Sequence, residues 1–328
     1  MTAHPVRTRP RPPRLLLAGV AVLALATVVT IIVGIVRPGA DPEGEASDGP
    51  WRHDAALMQD RDDFGTVVMD GRIWVLGGMT GGRGNKLDSV EVYDPDADSW
   101  SSGPPVPTAR SNMGTARLGT TIYTFGGSTP DATDAAEALD TRTGTWHKLP
   151  PVPTPRYGLA AVAQGGRIYT IGGQRGLQEL GTVEVYDPAT ERWSTGPSLP
   201  KARASLRAVA WHDKIYAIGG LDAAGPTRDV QVFDPETGHW SSGPAIPEPI
   251  SNFGLGVYNG HLHVLLHEHH WTLAAGERRW RSATPMPTSR HGQGVATVAG
   301  RMYAIGGCLQ QPLRDLNIVE SYHLPKAG

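Results

Sequence analysis

Three features of this chain keep one register over six successive units, and that phasing confines it to a repeat fold. Glycine pairs stand at Gly77-Gly78, Gly126-Gly127, Gly172-Gly173, Gly219-Gly220 and Gly306-Gly307. Their steps are 49, 46, 47 and 87 residues, so one pair is absent from the last interval. Its place falls at Leu266-His267, inside LHVLLHEHH, which aligns with IYAIGG without a gap. Three residues before each pair sits Trp74, Tyr123, Tyr169, Tyr216, His263 or Tyr303; sixteen before sits Arg61, Arg110, Arg156, Arg203, Ile250 or Arg290. A Trp follows in five units, at Trp100, Trp146, Trp193, Trp240 and Trp280. Lys201 to Trp240 shows the unit whole. A small-residue strand turns at His212-Asp213 into an aromatic strand ending in Gly219-Gly220; a loop, the strand VQVFDP, a turn and a Trp follow. Each unit therefore holds four short strands punctuated by Gly, Pro and Asp, with no helical period.

A glycine pair, a Tyr/Phe-Asp-Pro strand and a spaced Trp together resemble the kelch repeat, from Trp51 to about Tyr322. The resemblance implies an all-β fold of four-stranded blades, one per ~50 residues, hence a six-bladed kelch-type β-propeller. The glycines are expected to supply positive φ and close backbone approach, and the Tyr and Trp rings to fill the gaps between blades. The sixth unit ends at VESYHLP, after its third strand, with no Trp to follow. Trp51 precedes Gly65 by 14 residues, as Trp100 precedes Gly114. Residues 51–57 are thus expected to form the outer strand of the last blade, leaving no open sheet edge at closure.

Ahead of the propeller (residues 51–328) the expected organisation is a basic tail, a membrane span and a linker. Residues 1–14 carry Arg7, Arg9, Arg11 and Arg14 and no acid. Leu15 to Val36 is 22 residues without a charge, long enough to cross a ~30 Å hydrocarbon layer as a single transmembrane helix. The arginines before it, and Asp41, Glu43, Glu45 and Asp48 after it, place the N-terminus in the cytoplasm and the propeller outside. A cleaved signal peptide competes, but this apolar stretch is long for one, and its small-residue site, Ala24-Leu25-Ala26, lies mid-stretch. Residues 37–50 read as a Pro/Gly/acidic linker. The net charge of −2 gives no attraction to nucleic acid, and the single cysteine excludes an intrachain disulfide.

Arg61, Arg110, Arg156, Arg203 and Arg290 recur at the start of the innermost strand in five of six units, with Ile250 the departure. Convergent guanidinium groups suit carboxylates, sulfates and phosphates. The alternative is that each arginine pairs with acids or carbonyls of the next blade. Arg207 stands where the other units have Gly65, Gly114, Ala160, Gly254 and Gly294, a pattern expected of a crowded axis. Unit five carries His261, His263, His267, His269, His270 and Glu268, but their spacing matches no metal signature; solvent-facing histidines are expected, with no metal and no cofactor. Cys308 is expected to be a half-buried, inert thiol. Asp94, Asp140, Asp187 and Asp234 recur once per unit at a turn, as caps. Kelch adaptors hold acidic peptides with arginines at this repeat position. The resemblance therefore implies a recognition module for an acidic protein, peptide or glycan, with Arg61, Arg110, Arg156, Arg203, Arg207, Arg290 and His291 as ligand-binding residues. It also leaves open an enzyme similar to the six-bladed sialic acid mutarotases, with Arg203 or Arg207 as carboxylate clamp and Glu268 or His291 as proton shuttle. The Tyr-Cys-His copper set of galactose oxidase has no counterpart that the spacing can place. Oligomeric state is not encoded in any of these features.

Overall fold

The computed structural model describes residues 49–82 and 84–323. The expected tail and membrane helix, and all but the last two residues of the linker, lie outside the described residues. Among those described, no helix is long and apolar enough to cross a membrane.

Six four-stranded antiparallel sheets follow one another in chain order. Blade one pairs Gly65–Met69, Arg72–Leu76, Val90–Asp94 and Ser99–Gly103, from axis to rim. Blades two to five repeat the order from innermost strands at Gly114–Leu118, Ala160–Gln164, Arg207–Trp211 and Gly254–Tyr258. Blade six is composite. Gly294–Val298, Arg301–Ile305 and Val319–Tyr322 come from the C-terminal end, and its outer strand is Trp51–Asp54 from the N-terminal end, with Trp51 opposite Tyr322 and Asp54 opposite Val319. Each innermost strand packs against those of both neighbours, and blade six against blade one.

Three circuits of hydrogen bonds join the blades, and each closes on itself. Nearest the axis, the residue two beyond each arginine position adopts positive φ: Asp63, Asn112, Gly158, Ser205, Asn252 and Gly292. Each amide donates to the equivalent carbonyl one blade back, from Asn112 N to Asp63 O (2.8 Å) round to Asp63 N to Gly292 O (3.2 Å). Further out, the second residue of each glycine pair donates to the carbonyl at the next blade's arginine position. Gly78 reaches Arg110 (3.0 Å) and Gly307 reaches Arg61 (2.9 Å), while in blade five His267, at φ 51°, reaches Arg290 (2.9 Å). The first glycine of a pair cannot carry a side chain, because at Gly126, with φ 60°, a Cβ would fall 2.4 Å from Arg156 O. At the rim every repeat Trp donates its indole N–H to a carbonyl of the preceding blade, as Trp193 does to Pro150 (2.9 Å) and Trp51 to Thr284 (3.0 Å).

Blade five departs where its glycine pair is missing. Its second strand continues through His261–Leu266 and turns directly at His267-Glu268 into His269–Leu273. The loop that the other blades place there is absent.

Candidate functional site at the propeller mouth

The five recurrent arginines do not line the mouth, and the expectation of a guanidinium-lined opening is corrected. Arg61, Arg110, Arg156, Arg203 and Arg290 are each 0% exposed. Arg110 donates to Glu137 (2.6 Å), Thr124 Oγ1 (2.6 Å) and Thr108 O (3.0 Å). Arg290 donates to Glu320 (2.5 Å) and Ala304 O (2.9 Å), and Arg61 and Arg156 pair likewise with Glu91 and Glu184. These acids sit on the third strand of the arginine's own blade, one residue in from its start. Each guanidinium therefore fastens its own blade while its backbone carbonyl receives the glycine pair of the one before. Burial lowers all five pKa values, and the acid partner opposes the shift in four. Arg203 has Gln231 where the others have Glu; among the described residues it donates only to Asp229 O and Ala217 O (3.2 Å each), and burial brings it down to about 10.

Arg207 behaves differently. It opens the innermost strand of blade four and reaches an axial cavity of about 120 Å³ lined by Thr66, Thr115, Ala161, Leu255 and Val295. It is the one charged residue among those lining it. Its Nε donates to Phe253 O (3.0 Å), and its two terminal nitrogens have no partner among the described residues. Burial lowers its pKa and Asp63 opposes the shift. The five small residues in the same column explain why a long side chain fits there only once. At Gly65 a Cβ would fall 2.2 Å from Thr115, and at Gly294 2.2 Å from Thr66.

His291 lines a second cavity, of about 230 Å³, at the seam of blades six and one, with Asp62, Asp63, Asn252, Cys308 and Asp315. The charge facing this opening is acidic, the reverse of what the arginine column suggests. Asp62, Asp63 and Asp315 escape a reading by repeat position because each occurs once. Asp62-Asp63 fills the two columns that elsewhere read Ser111-Asn112, Tyr157-Gly158, Ala204-Ser205, Ser251-Asn252 and His291-Gly292, and that break is the signal.

Two histidines of blade five are placed otherwise than expected, while His261 is exposed and His267 and His269 are half-buried. His263 and His270 are buried, not solvent-facing, at 2% exposure each. His263 Nδ1 meets His270 Nε2 at 2.8 Å, and His270 Nδ1 meets Thr284 O at 2.8 Å. When His263 donates to His270 and His270 to Thr284, two neutral rings meet these two contacts and leave His263 Nε2 as an acceptor facing Tyr258 O at 3.2 Å. Burial drives His263 down to about 3 and His270 to about 4. Cys308 is fully buried rather than half-buried, and burial pushes its thiol up to about 11. Asp94, Asp187 and Asp234 accept amide hydrogen bonds two residues on, at 3.1, 2.9 and 3.0 Å, as turn caps do.

Residues 63–265 and 152–307 match the KLHDC2/KLHL20/DRC7 Kelch-repeats domain, together more than half of the chain, and residues 289–326 match the Kelch motif. The chain belongs to the kelch-repeat family. Among curated kelch relatives, mouse (Mus musculus) Kelch-like protein 23 is 38% identical over 74 residues, 23% of this chain and 12% of its own length. Beta-scruin of Limulus polyphemus is 35% identical over 79 residues, 24% of this chain and 8% of its own. The kelch chain therefore spans only a small part of these relatives. A solved structure titled "Structure of YjhT" superposes with a TM-score of 0.70 at 15% identity, covering 82% of this chain and 96% of that one. That likeness is one of fold.

Proposed function

We propose that this kelch propeller is a membrane-tethered, extracytoplasmic recognition module that takes the acidic group of a protein, peptide or glycan into its axial cavity, with Arg207 as the clamp. The observation that carries the reading is the guanidinium whose terminal nitrogens stay unpartnered inside a cavity where every equivalent position is Gly or Ala. A charge partly removed from water and short of acceptors is poised for a carboxylate, which a guanidinium can bind bidentately. The apolar stretch Leu15–Val36 supports the tether and the flanking charges its orientation.

Arg207→Ala tests the clamp with little risk to the fold, since blade three already carries Ala160 there. Losing a buried charge partner costs about 2–5 kcal/mol, or roughly 30-fold or more in Kd. With the full chain in detergent, acidic sugars and peptides are expected to raise the unfolding temperature of the native chain and not of the variant. Unchanged binding in Arg207→Ala removes the clamp from the account. Membrane fractionation and protease access on intact cells test the tether.

A second reading, an enzyme on an acidic sugar, is favoured by His291 sharing a cavity with three carboxylates. Arg203 is buried and so leaves Arg207 as its clamp. A mutarotation assay on N-acetylneuraminate decides between the two readings.

A further inference from the structure

The seam cavity draws its walls from both ends of the chain. Asp62 follows Arg61 in blade one, while Cys308 and Asp315 face each other across the short paired strands Cys308–Leu309 and Arg314–Asp315 in blade six. All three are buried, at 5, 1 and 4% exposure, and one ligand-capable atom of each lies within 4.8 Å of the others. His291 pairs with Cys308 along the backbone, N to O at 3.1 and 2.7 Å, and lines the same cavity. Asp63 lines it too, at 7% exposure. One of its oxygens accepts from Asn112 Nδ2 (3.0 Å); the other is buried and meets no donor among the described residues. The donor-less Asp63 oxygen, buried beside a thiol and two further carboxylates, favours a cation nearby.

We propose that Asp62, Cys308 and Asp315 bind a divalent cation of the zinc type, clamping the first blade to the last, with a fourth coordination position opening on the cavity beside His291. One sulfur among oxygen donors excludes the hard cations, which take oxygen alone, and suits a borderline one. Bonds of about 2.3 Å to sulfur and about 2.0–2.2 Å to oxygen require the donor atoms to close in by side-chain rotation. As the metal–sulfur bond forms, the Cys308 thiol proton passes to water and its hydrogen bond to Leu309 O (3.1 Å) is given up. The hydrogen bond from Gly82 N to the Asp315 carboxylate (3.0 Å) orients that ligand. The cation then joins residues on either side of the seam where Gly307 N already donates to Arg61 O.

Cobalt is the first probe, because this chain holds one cysteine and any sulfur-to-cobalt charge-transfer band reports on Cys308 alone. The full chain in detergent, titrated with Co²⁺, is expected to develop that band to one equivalent and to lose it on adding Zn²⁺. Zn²⁺ is expected to raise the unfolding temperature. Cys308→Ser, which leaves volume nearly unchanged, is expected to abolish both responses while unfolding within a few degrees of the native chain without metal. Asp62→Asn and Asp315→Asn are each expected to weaken cobalt binding at least ~10-fold. The proposal is overturned by absence of the band together with no Zn²⁺-dependent stabilisation. It is equally overturned by a band indifferent to both Asp→Asn changes, which marks a thiol acting alone, or by full stabilisation in Cys308→Ser, which moves the metal elsewhere.

Discussion

Gln231→Glu is expected to stabilise the propeller, although it introduces a buried charge. Gln231 occupies the third-strand position held by Glu91, Glu137, Glu184 and Glu320 in four other blades, and its side-chain oxygen has no donor among the described residues. Arg203 beside it is wholly buried, so the desolvation of the guanidinium is already incurred. The fall of its pKa from 12.5 to about 10 corresponds to about 3 kcal/mol of disfavour toward the charged form. A carboxylate at 231 removes much of that and provides an acceptor, at the cost of its own burial. The net gain expected is about 1–2 kcal/mol, which for a domain of this size raises the unfolding temperature by about 2–6 °C. The reverse change, Glu184→Gln, reproduces blade four in blade three. Arg156 would keep Thr154 O (3.1 Å) and Thr170 Oγ1 (2.8 Å) and lose its counter-charge, a loss of about 2–3 kcal/mol, below the full cost of an orphaned buried charge because Gln retains an acceptor. Scanning calorimetry of both variants at neutral pH reads the two signs together. If Gln231→Glu lowers the transition, or Glu184→Gln leaves it within a degree, the buried pairs are not what holds each blade together.

Two further outcomes follow from the same geometry. Gly119 and Gly126 share φ near 60°, but a Cβ at Gly119 meets open space and one at Gly126 meets Arg156 O. Gly119→Ala should cost about 1–2 kcal/mol of left-handed strain and Gly126→Ala about 3 kcal/mol or more; equal costs by urea denaturation would mean that the close approach is relieved elsewhere. His263 and His270 titrate at about 3 and about 4 in the folded chain, below the ordinary 6.5. Their contribution is therefore present above about pH 6.5 and lost as pH falls, by up to about 1.4 kcal/mol per pH unit for each. Replacing both with Leu should flatten the stability profile between pH 6 and pH 4, and an unchanged slope would assign the acid sensitivity to other groups.

The blade count, the strand order and the missing glycine pair were legible because each is enforced at one backbone position per unit. A positive φ at the glycine pair, an indole reaching back to the previous blade and a strand of fixed length leave marks that survive as spacing. The burial of the arginines was not legible, because an arginine facing a mouth and one locked against a glutamate on its own third strand have the same period. The partner was in view all along: Glu91, Glu137, Glu184 and Glu320 recur in the VE and AE pairs that open the third strands. Matching the two periods would have shown that positive charge at one column is answered by negative charge at another, with only Arg203 left over.

That failure separates the two kinds of signal a repeat sequence carries. A residue that recurs in every blade meets the same surroundings six times, so the simplest account of it is a contact that each blade needs for itself or with its neighbour. Recognition of a particular ligand has no reason to respect sixfold symmetry, and it should lie where a column is broken. Arg207 in a column of Gly and Ala, Asp62-Asp63 in two columns that elsewhere hold no acid, Cys308 after a glycine pair and the loop-free turn of blade five are such breaks. Two of them, Asp62 and Cys308, meet across the seam where the ring closes, although 246 positions separate them in sequence. Closure supplies the only route by which those side chains become neighbours. A variant that opens the seam at Trp51 without unfolding the blades should therefore abolish cation binding at Asp62, Cys308 and Asp315, and retention of that binding would show that closure does not build the site.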